Sequence, residues 1–370
     1  MMSTETDNLK DRCKDFITYY DTIEKQPFSK DMLKTFRACG LTGWMIPASY
    51  GGQEKTARDM ILAGETLMIS CENLGIVLSW VIHEIVTTWF IYGFGTDQQR
   101  QTYIPQLVEG QLLGSVAISE PDVGPHPKLL KTFANANEHG FCLNGEKTYL
   151  TNGPIADVYI VIAISEIKDN RKHYSAYIVT DENKGFSRTS SLTFPFVQTS
   201  PHGGIIMKNC QVSDTHLLGE SNTAYEKMVK PFREIEDTLM MGPIIGGMHC
   251  QLNRTIDHIN QFQLSLNNEL LTLLGNLKTH IITSRVIALE AAKLLDQQNQ
   301  SEKRLALLLG FRHWAESFQN YFERLWSQLS IKNEQVSRLT NDLCGIGKVA
   351  MKIMLTKQMN MGKKSLLKGK

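Results

Sequence analysis

The residues of this chain that could do chemistry fall into a few short runs. AISEPDVG at 117–124 puts a hydroxyl, two carboxylates and a glycine close together, and NGEKTYLTNG at 144–153 carries Tyr149 and Thr151. Small side chains and backbone amides of this kind suit a loop laid beside a flat ring system. Ser119 and Thr151 supply hydroxyls for hydrogen bonding, Tyr149 an aromatic plane, and Gly124 allows close backbone approach. Glu120 and Asp122 are paired in sequence, but Pro121 between them points their side chains apart, so they are not assigned proton transfer. The plainer alternative for 117–124 is a strand and turn packed into a core. For Asn152-Gly153 it is an ordinary hairpin turn.

Other chemistries find little support. The histidines form neither a catalytic pair nor a metal-ligand pattern, and His83, inside an apolar helical run, reads as a satisfied core histidine. There is no GxGxxG, Walker-type loop or HExxH. Cys13, Cys39, Cys71, Cys142, Cys210, Cys250 and Cys344 are scattered without a CxxC pair, which argues against a disulfide framework or zinc site and fits a reducing cytoplasm. No metal is expected. A formal net charge of +1 gives no electrostatic reason to expect nucleic acid or an anionic membrane as partner. MMSTETDNLKDRCKDF reads as neither a signal nor a transit peptide. Residues 74–94 are apolar but interrupted by His83, Glu84 and Gly93, so no membrane span is expected.

The elements that must position these residues follow an α–β–α order. With 370 residues, 42% hydrophobic and 21% charged, the chain is long enough for two or three domains with sizeable cores. Asp31 to Ala38 has helical apolar spacing and Gly40 a stop. Two apolar helical stretches over 56–94 predict burial against another domain. Between Leu113 and Gly219, short β-rich runs (SVAIS, FCLNG, YLTNG, VYIVIAIS, HYSAYIVT, GGIIMKNCQV) alternate with turn residues such as Asn144-Gly145, predicting an antiparallel barrel or sandwich. From Asn222 onward, apolar spacing such as Leu270, Leu274, Leu277 and Ile281 predicts an antiparallel helical bundle, with helices over about 301–329 and 334–361. The basic end MGKKSLLKGK reads as a solvated tail. The boundaries are 1–112 for an N-terminal helical domain, 113–221 for a middle β domain and 222–370 for a C-terminal helical bundle.

This ordered set resembles the acyl-CoA dehydrogenase family. The family's A-x-T-E-P-x-A-G-S-D segment matches AISEPDVG, its L-N-G-x-K-x-W-I-T-N-G matches the run at 144–153, and its nearby A-D matches Ala156-Asp157. GLTGWMIPASYGG, GFGTDQQRQTYIPQLVEG and HLLGE extend the likeness over most of residues 30–260. The resemblance implies an α+β fold with an N-terminal helical domain, a middle antiparallel β-barrel and a C-terminal four-helix bundle. It implies FAD extended between β domain and bundle, in a homodimer or homotetramer. It puts Ile118, Ser119, Gly124, Tyr149 (for Trp) and Thr151 beside the flavin. It also implies α,β-dehydrogenation of an acyl thioester on CoA or a carrier protein, with electrons passing to an electron-transfer flavoprotein.

Abstracting a weakly acidic α-proton needs a desolvated base while the carbonyl is polarised. The family's C-terminal Y-E-G-T-like motif is absent. Its other source, an L-D-L-E-R-like segment ahead of G-P-L-G, matches REIEDTLMMGPIIGG at 233–247 and puts Glu236 at the base position. Glu234 lies about 200° away on a helix and is rejected; Asp237 stands where this branch of the family has Arg. Three further departures concern FAD. Gly-Ser-Asp becomes Gly124-Pro125-His126, the R-x-x-F-G-x-P motif is replaced by SLNNELL at 265–271, and Q-x-x-G-G is missing. Each lost phosphate contact costs roughly 1–3 kcal/mol, so weakened FAD binding is expected. A catalytically silent relative serving as a binding or assembly subunit is the alternative from another class. A flavin monooxygenase of the same superfamily is a further one.

Overall fold

In the computed structural model, which describes residues 2–22, 26–298, 301–349 and 351–367, helices are followed by strands and then by helices again. The chain divides into two compact units, Met1–Met60 with Gly75–Asp237 and Ile61–Leu74 with Thr238–Lys370.

The first unit opens with α1 (Met2–Thr22) and α2 (Lys30–Ala38). Ser29 caps α2 by accepting from the Met32 amide at 3.2 Å, Met32, Leu33 and Phe36 bury one face, and Gly40 at φ +67° ends it. After α3 (Ala57–Cys71) comes α4 (Leu74–Ile85), which widens into a π-type turn through Tyr92; α5 (Asp97–Val108) follows. Leu74–Tyr92 is long and apolar enough to cross a membrane, but 89% of its apolar window is buried within the fold, as in a core helix. Its buried His83 and Glu84 are satisfied. His83 Nε2 donates to the Leu107 carbonyl at 3.1 Å, and burial pushes its pKa down to about 4. Glu84 accepts from the Gly43 and Trp44 amides at 2.9 Å each, yet burial outweighs these bonds and raises its pKa to about 7.

The strands are β1 (Gly114–Ala117), β2 (Phe133–Asn137), β3 (Gly140–Thr151), β4 (Val158–Lys168), β5 (Arg171–Thr180), β6 (Phe186–Arg188), β7 (His202–Val212) and β8 (Leu217–Leu218). They form one eight-stranded sheet in the order β6-β7-β3-β2-β4-β5-β8, with β1 beside β4. The expected antiparallel barrel is therefore corrected to an open, mixed sheet. β1 pairs parallel with β4 in register Gly114↔Val158, a long-range pairing that no local turn announces. FCLNG and YLTNG, expected as two strands around an Asn144-Gly145 turn, belong to the single strand β3. Gly145 lies within it at φ +147°, where a Cβ would come 2.4 Å from Thr132 Oγ1, so the glycine serves close packing.

α6 (Lys230–Leu239) runs from the first unit into the second. The second unit continues with α7 (Met241–Gln261), α8 (Asn268–Asp296), α9 (Glu302–Leu329), α10 (Glu334–Lys348) and α11 (Met351–Leu367). Gly242 and Gly246 bring α7 against α3: a Cβ there would sit 2.1 Å from the Ile61 carbonyl oxygen and 2.6 Å from that of Glu65. Gln251 links to Gln319 and Thr340, and Trp326 Nε1 donates to Thr255, tying α7, α9 and α10 together. The helix expected over 334–361 is two helices. Val349 is extended (ψ 132°), and Arg312 donates to the carbonyls of Gly347 and Val349.

Candidate active site

A buried ion pair joins the two motif runs of the first unit. Lys147, on β3, has a fully buried side chain whose Nζ lies 2.9 Å from Glu120 Oε1 and donates to the Ile118 carbonyl at 3.0 Å. Glu120 also accepts from the amides of Lys131 and Thr132 at 2.6 and 2.9 Å. Burial lowers the Lys147 pKa against the pull of Glu120. The Glu120 pKa falls below its usual value because Lys147 and the Thr132 amide outweigh burial. A charge so buried is tolerated only with its bonds complete. Glu120 is thereby a structural anchor, consistent with leaving it out of proton transfer. The Thr148 amide donates to the Ser119 carbonyl at 2.9 Å, so backbone as well as side chain couples the runs.

The loop itself is a tight turn. Glu120 and Gly124 exchange amide–carbonyl bonds of 3.0 and 3.1 Å, with Asp122 at φ +64° and Gly124 at φ +59°. Nothing lies within 4 Å of where a Gly124 Cβ would stand. Ile118 is buried, whereas Ser119 is half-buried and its hydroxyl meets no partner among the described residues.

Across the coupling, β3 carries one extra residue against β7 between Lys147 and Leu150. That bulge holds Tyr149 at φ +62° with its ring 51% exposed. A bulky residue in this conformation carries strain that regular strand pairing would avoid. Phe194 lies 6.0 Å from the Tyr149 ring and meets His202 edge-on at 4.9 Å. His202 Nε2 is 3.1 Å from Thr151 Oγ1, and its Nδ1 is 2.8 Å from the Ser200 carbonyl oxygen. Ala156-Asp157 has a scaffold role: Asp157 accepts from the Leu113 amide at 2.9 Å at the entry to β1 and pairs with Lys30.

The structure thus brings Ile118, Ser119, Gly124, Tyr149 and Thr151 onto two coupled segments. Glu236 stands elsewhere, on α6, 3.1 Å from Arg233 Nη1, and Arg233 also holds Asp237 at 2.8 Å. Burial works against the Arg233 charge, but Glu236 and Asp237 overcome it and raise its pKa. At 265–271, where an Arg motif is missing, Asn267 caps α8 by accepting from the Leu270 amide. Sequence reasoning missed Lys147 and His202. A lysine at an inward strand position, alternating with Leu143 and Gly145, was the available signal for the first; nothing local marked the second. Among the described residues there is no cluster of His, Cys, Asp or Glu that could hold a metal.

Comparison with known proteins agrees with this frame. The family model for the acyl-CoA dehydrogenase N-terminal domain matches residues 4–111, and that for the middle domain matches 115–210. An L-prolyl-[peptidyl-carrier protein] dehydrogenase of Pseudomonas fluorescens is 26% identical over 274 residues, 72% of each chain. An acyl-CoA dehydrogenase of Bacillus subtilis is 31% identical over 198 residues, 54% of this chain and 52% of that protein. The match thus spans about half the length of the second relative. The FAD complex of PigA superposes with a TM-score of 0.83 at 18% identity, covering 97% of this chain and 98% of that one. With matched domains over more than half its length and the motif segments coupled as described, the chain belongs to the acyl-CoA dehydrogenase family.

Proposed function

We propose that this protein is an FAD-dependent oxidoreductase that forms an α,β double bond in an acyl thioester carried by CoA or a carrier protein. One observation carries the reading. Tyr149 is held out on a strained bulge, 51% exposed, on the strand that also presents Thr151 and that Lys147 ties to the Ser119 loop. A fold accepts such strain where an exposed aromatic surface has a use. The residues fit the ring end of a flavin: an aromatic plane, two hydroxyls and open space above Gly124. When bound, FAD supplies the ring that accepts hydride from the β-carbon.

The chain's own residues do the rest. Ser119 and Thr151 orient the ring edge, and Tyr149 and Phe194 shield one side from water. Glu236 takes the α-proton onto its carboxylate, the electron pair of the α C–H bond becomes the new α,β bond, and the pair of the β C–H bond departs with the hydride. An electron-transfer flavoprotein or similar acceptor then reoxidises the protein. The carrier-protein alternative draws on the name of the Pseudomonas relative. A homodimer or homotetramer draws on the exposed apolar stripe of α8. A cytoplasmic setting draws on seven free cysteines.

A silent binding or assembly subunit is the second reading, favoured by the Arg233–Glu236 pair, which gives this carboxylate a structural partner on its own helix. Stopped-flow bleaching of bound flavin by a series of acyl thioesters separates the two. Glu236→Gln is expected to slow bleaching by about 10²–10⁴-fold with flavin binding intact, while Glu234→Gln leaves it nearly unchanged. Wild-type speed in Glu236→Gln moves the base elsewhere. No bleaching in any protein establishes the silent reading.

A further inference from the structure

We propose that His202 sets the polarity of the Thr151 hydroxyl, making it a hydrogen-bond acceptor toward a ring N–H of the bound ligand. The argument is one of donors and acceptors. The Ser200 carbonyl can only accept, and it lies 2.8 Å from His202 Nδ1, so the ring proton sits on Nδ1. Burial lowers the His202 pKa and keeps the ring neutral, which leaves Nε2 a bare acceptor. Thr151 Oγ1 is 3.1 Å from that nitrogen and must donate to it. Its single hydrogen is then committed, and only lone pairs face outward. Phe194, edge-on to the imidazole at 4.9 Å and 88°, fixes the ring plane. The Ser200 backbone is fixed in turn by its amide bond to the Val197 carbonyl, and its hydroxyl pairs with Ser79 at 2.8 Å.

A hydroxyl of this polarity selects a ring edge that carries hydrogen and disfavours a bare ring nitrogen. It rests on the reading above only for the identity of the ring. If that ring is a flavin, Thr151 favours the two-electron-reduced form, which carries an N–H that the oxidised form lacks. His202 is then a positioning residue that acts through Thr151.

The test has two arms. In the first, the full chain is labelled with ¹⁵N-histidine, and His202 is assigned by the peak lost in His202→Gln, or by the peak shifted in Thr151→Val if that variant fails to fold. The expected result is the Nδ1–H tautomer, with an Nε2 shift that moves in Thr151→Val. An Nε2–H tautomer reverses the hydroxyl and overturns the proposal. In the second arm, oxidised and reduced FAD are each titrated into wild type, Thr151→Val and His202→Gln. Both variants are expected to lose about tenfold in the ratio of reduced to oxidised affinity, which lowers the midpoint potential by about 30 mV for a two-electron couple. An unchanged ratio in both variants overturns the proposal. Failure of FAD to bind any of the three sinks the flavin reading, and the tautomer then decides the polarity of Thr151 by itself.

Discussion

The loops around Ser119 and Tyr149 and the outer face of α8 represent opposite ways of arranging a surface. At the loops, a buried ion pair and main-chain bonds join the Ser119 turn to the strand that carries Tyr149. On α8, Leu271, Ile282 and Val286 are 52%, 58% and 65% exposed, and nothing lies within 4 Å of a Gly275 Cβ. At 100° per residue these four fall within about 60° of one another, an apolar stripe on a helix whose other side is already packed. The first surface is shaped by its own chain, as the proposed ligand site requires. The second is apolar without being shaped. Each contrast can be broken by substitution.

The largest effect is expected at Lys147. Lys147→Met leaves Glu120 charged, buried and unpaired, which typically costs about 3–5 kcal/mol. Urea unfolding should show that loss, together with loss of flavin retention as the Ser119 loop is released. Adding Glu120→Gln should recover part of the stability, because the stranded charge is gone. If Lys147→Met unfolds at wild-type urea concentrations, the loops are held by something other than this pair.

Pro125→Ser comes next. Proline offers no N–H, and the family's serine hydroxyl is missing from this loop. Restoring both should tighten FAD by about 1–3 kcal/mol, or roughly five- to a hundredfold, read by equilibrium titration of apoprotein. Full, tight occupancy of the wild type would show that other residues already hold the phosphates.

Tyr149→Gly should separate stability from binding. Relief of the φ +62° strain is worth of order 1 kcal/mol, partly offset by glycine's greater chain entropy. Stability should therefore hold or rise slightly. FAD should bind about two- to tenfold more weakly through loss of stacking. A destabilised variant would mean that the ring packs for the fold rather than for a ligand.

How much of this was legible in the sequence follows from the range of the interactions. The Ser119 and Tyr149 segments could be picked out because the motif runs are local, and the α–β–α order because hydrophobic periodicity is local. Lys147 and His202 could not be assigned roles, because their partners lie 27 and 51 residues away. The barrel expectation failed for the same reason: a parallel β1–β4 pairing leaves no turn signature. Gly145 misled because the same residue marks a turn or a close approach, and only Thr132 packed against it distinguishes them.

The smallest effect on the fold is expected on α8, and its smallness is informative. Ile282→Lys with Val286→Glu replaces two exposed apolar side chains on a helix. Both new residues keep to solvent, and surface changes of this kind usually stay within about 0.5 kcal/mol each. Lysine and glutamate are also good helix formers, so propensity should not suffer. Urea unfolding at dilute concentration should therefore be nearly unchanged. Sedimentation should not be: if the stripe is the seam between two copies of this chain, two charges placed in an apolar contact shift the protein to monomer at micromolar concentration. A two-fold seam would use the same patch of α8 on both subunits, so both protomers are disturbed at once. A wild type that sediments as monomer removes the second copy as the occupant of α8. A double variant that remains oligomeric moves the seam to another face. A variant that loses stability in proportion to its dissociation would show that the stripe, like the Ser119 loop, is part of what holds the fold together, and the contrast between the two surfaces would then disappear.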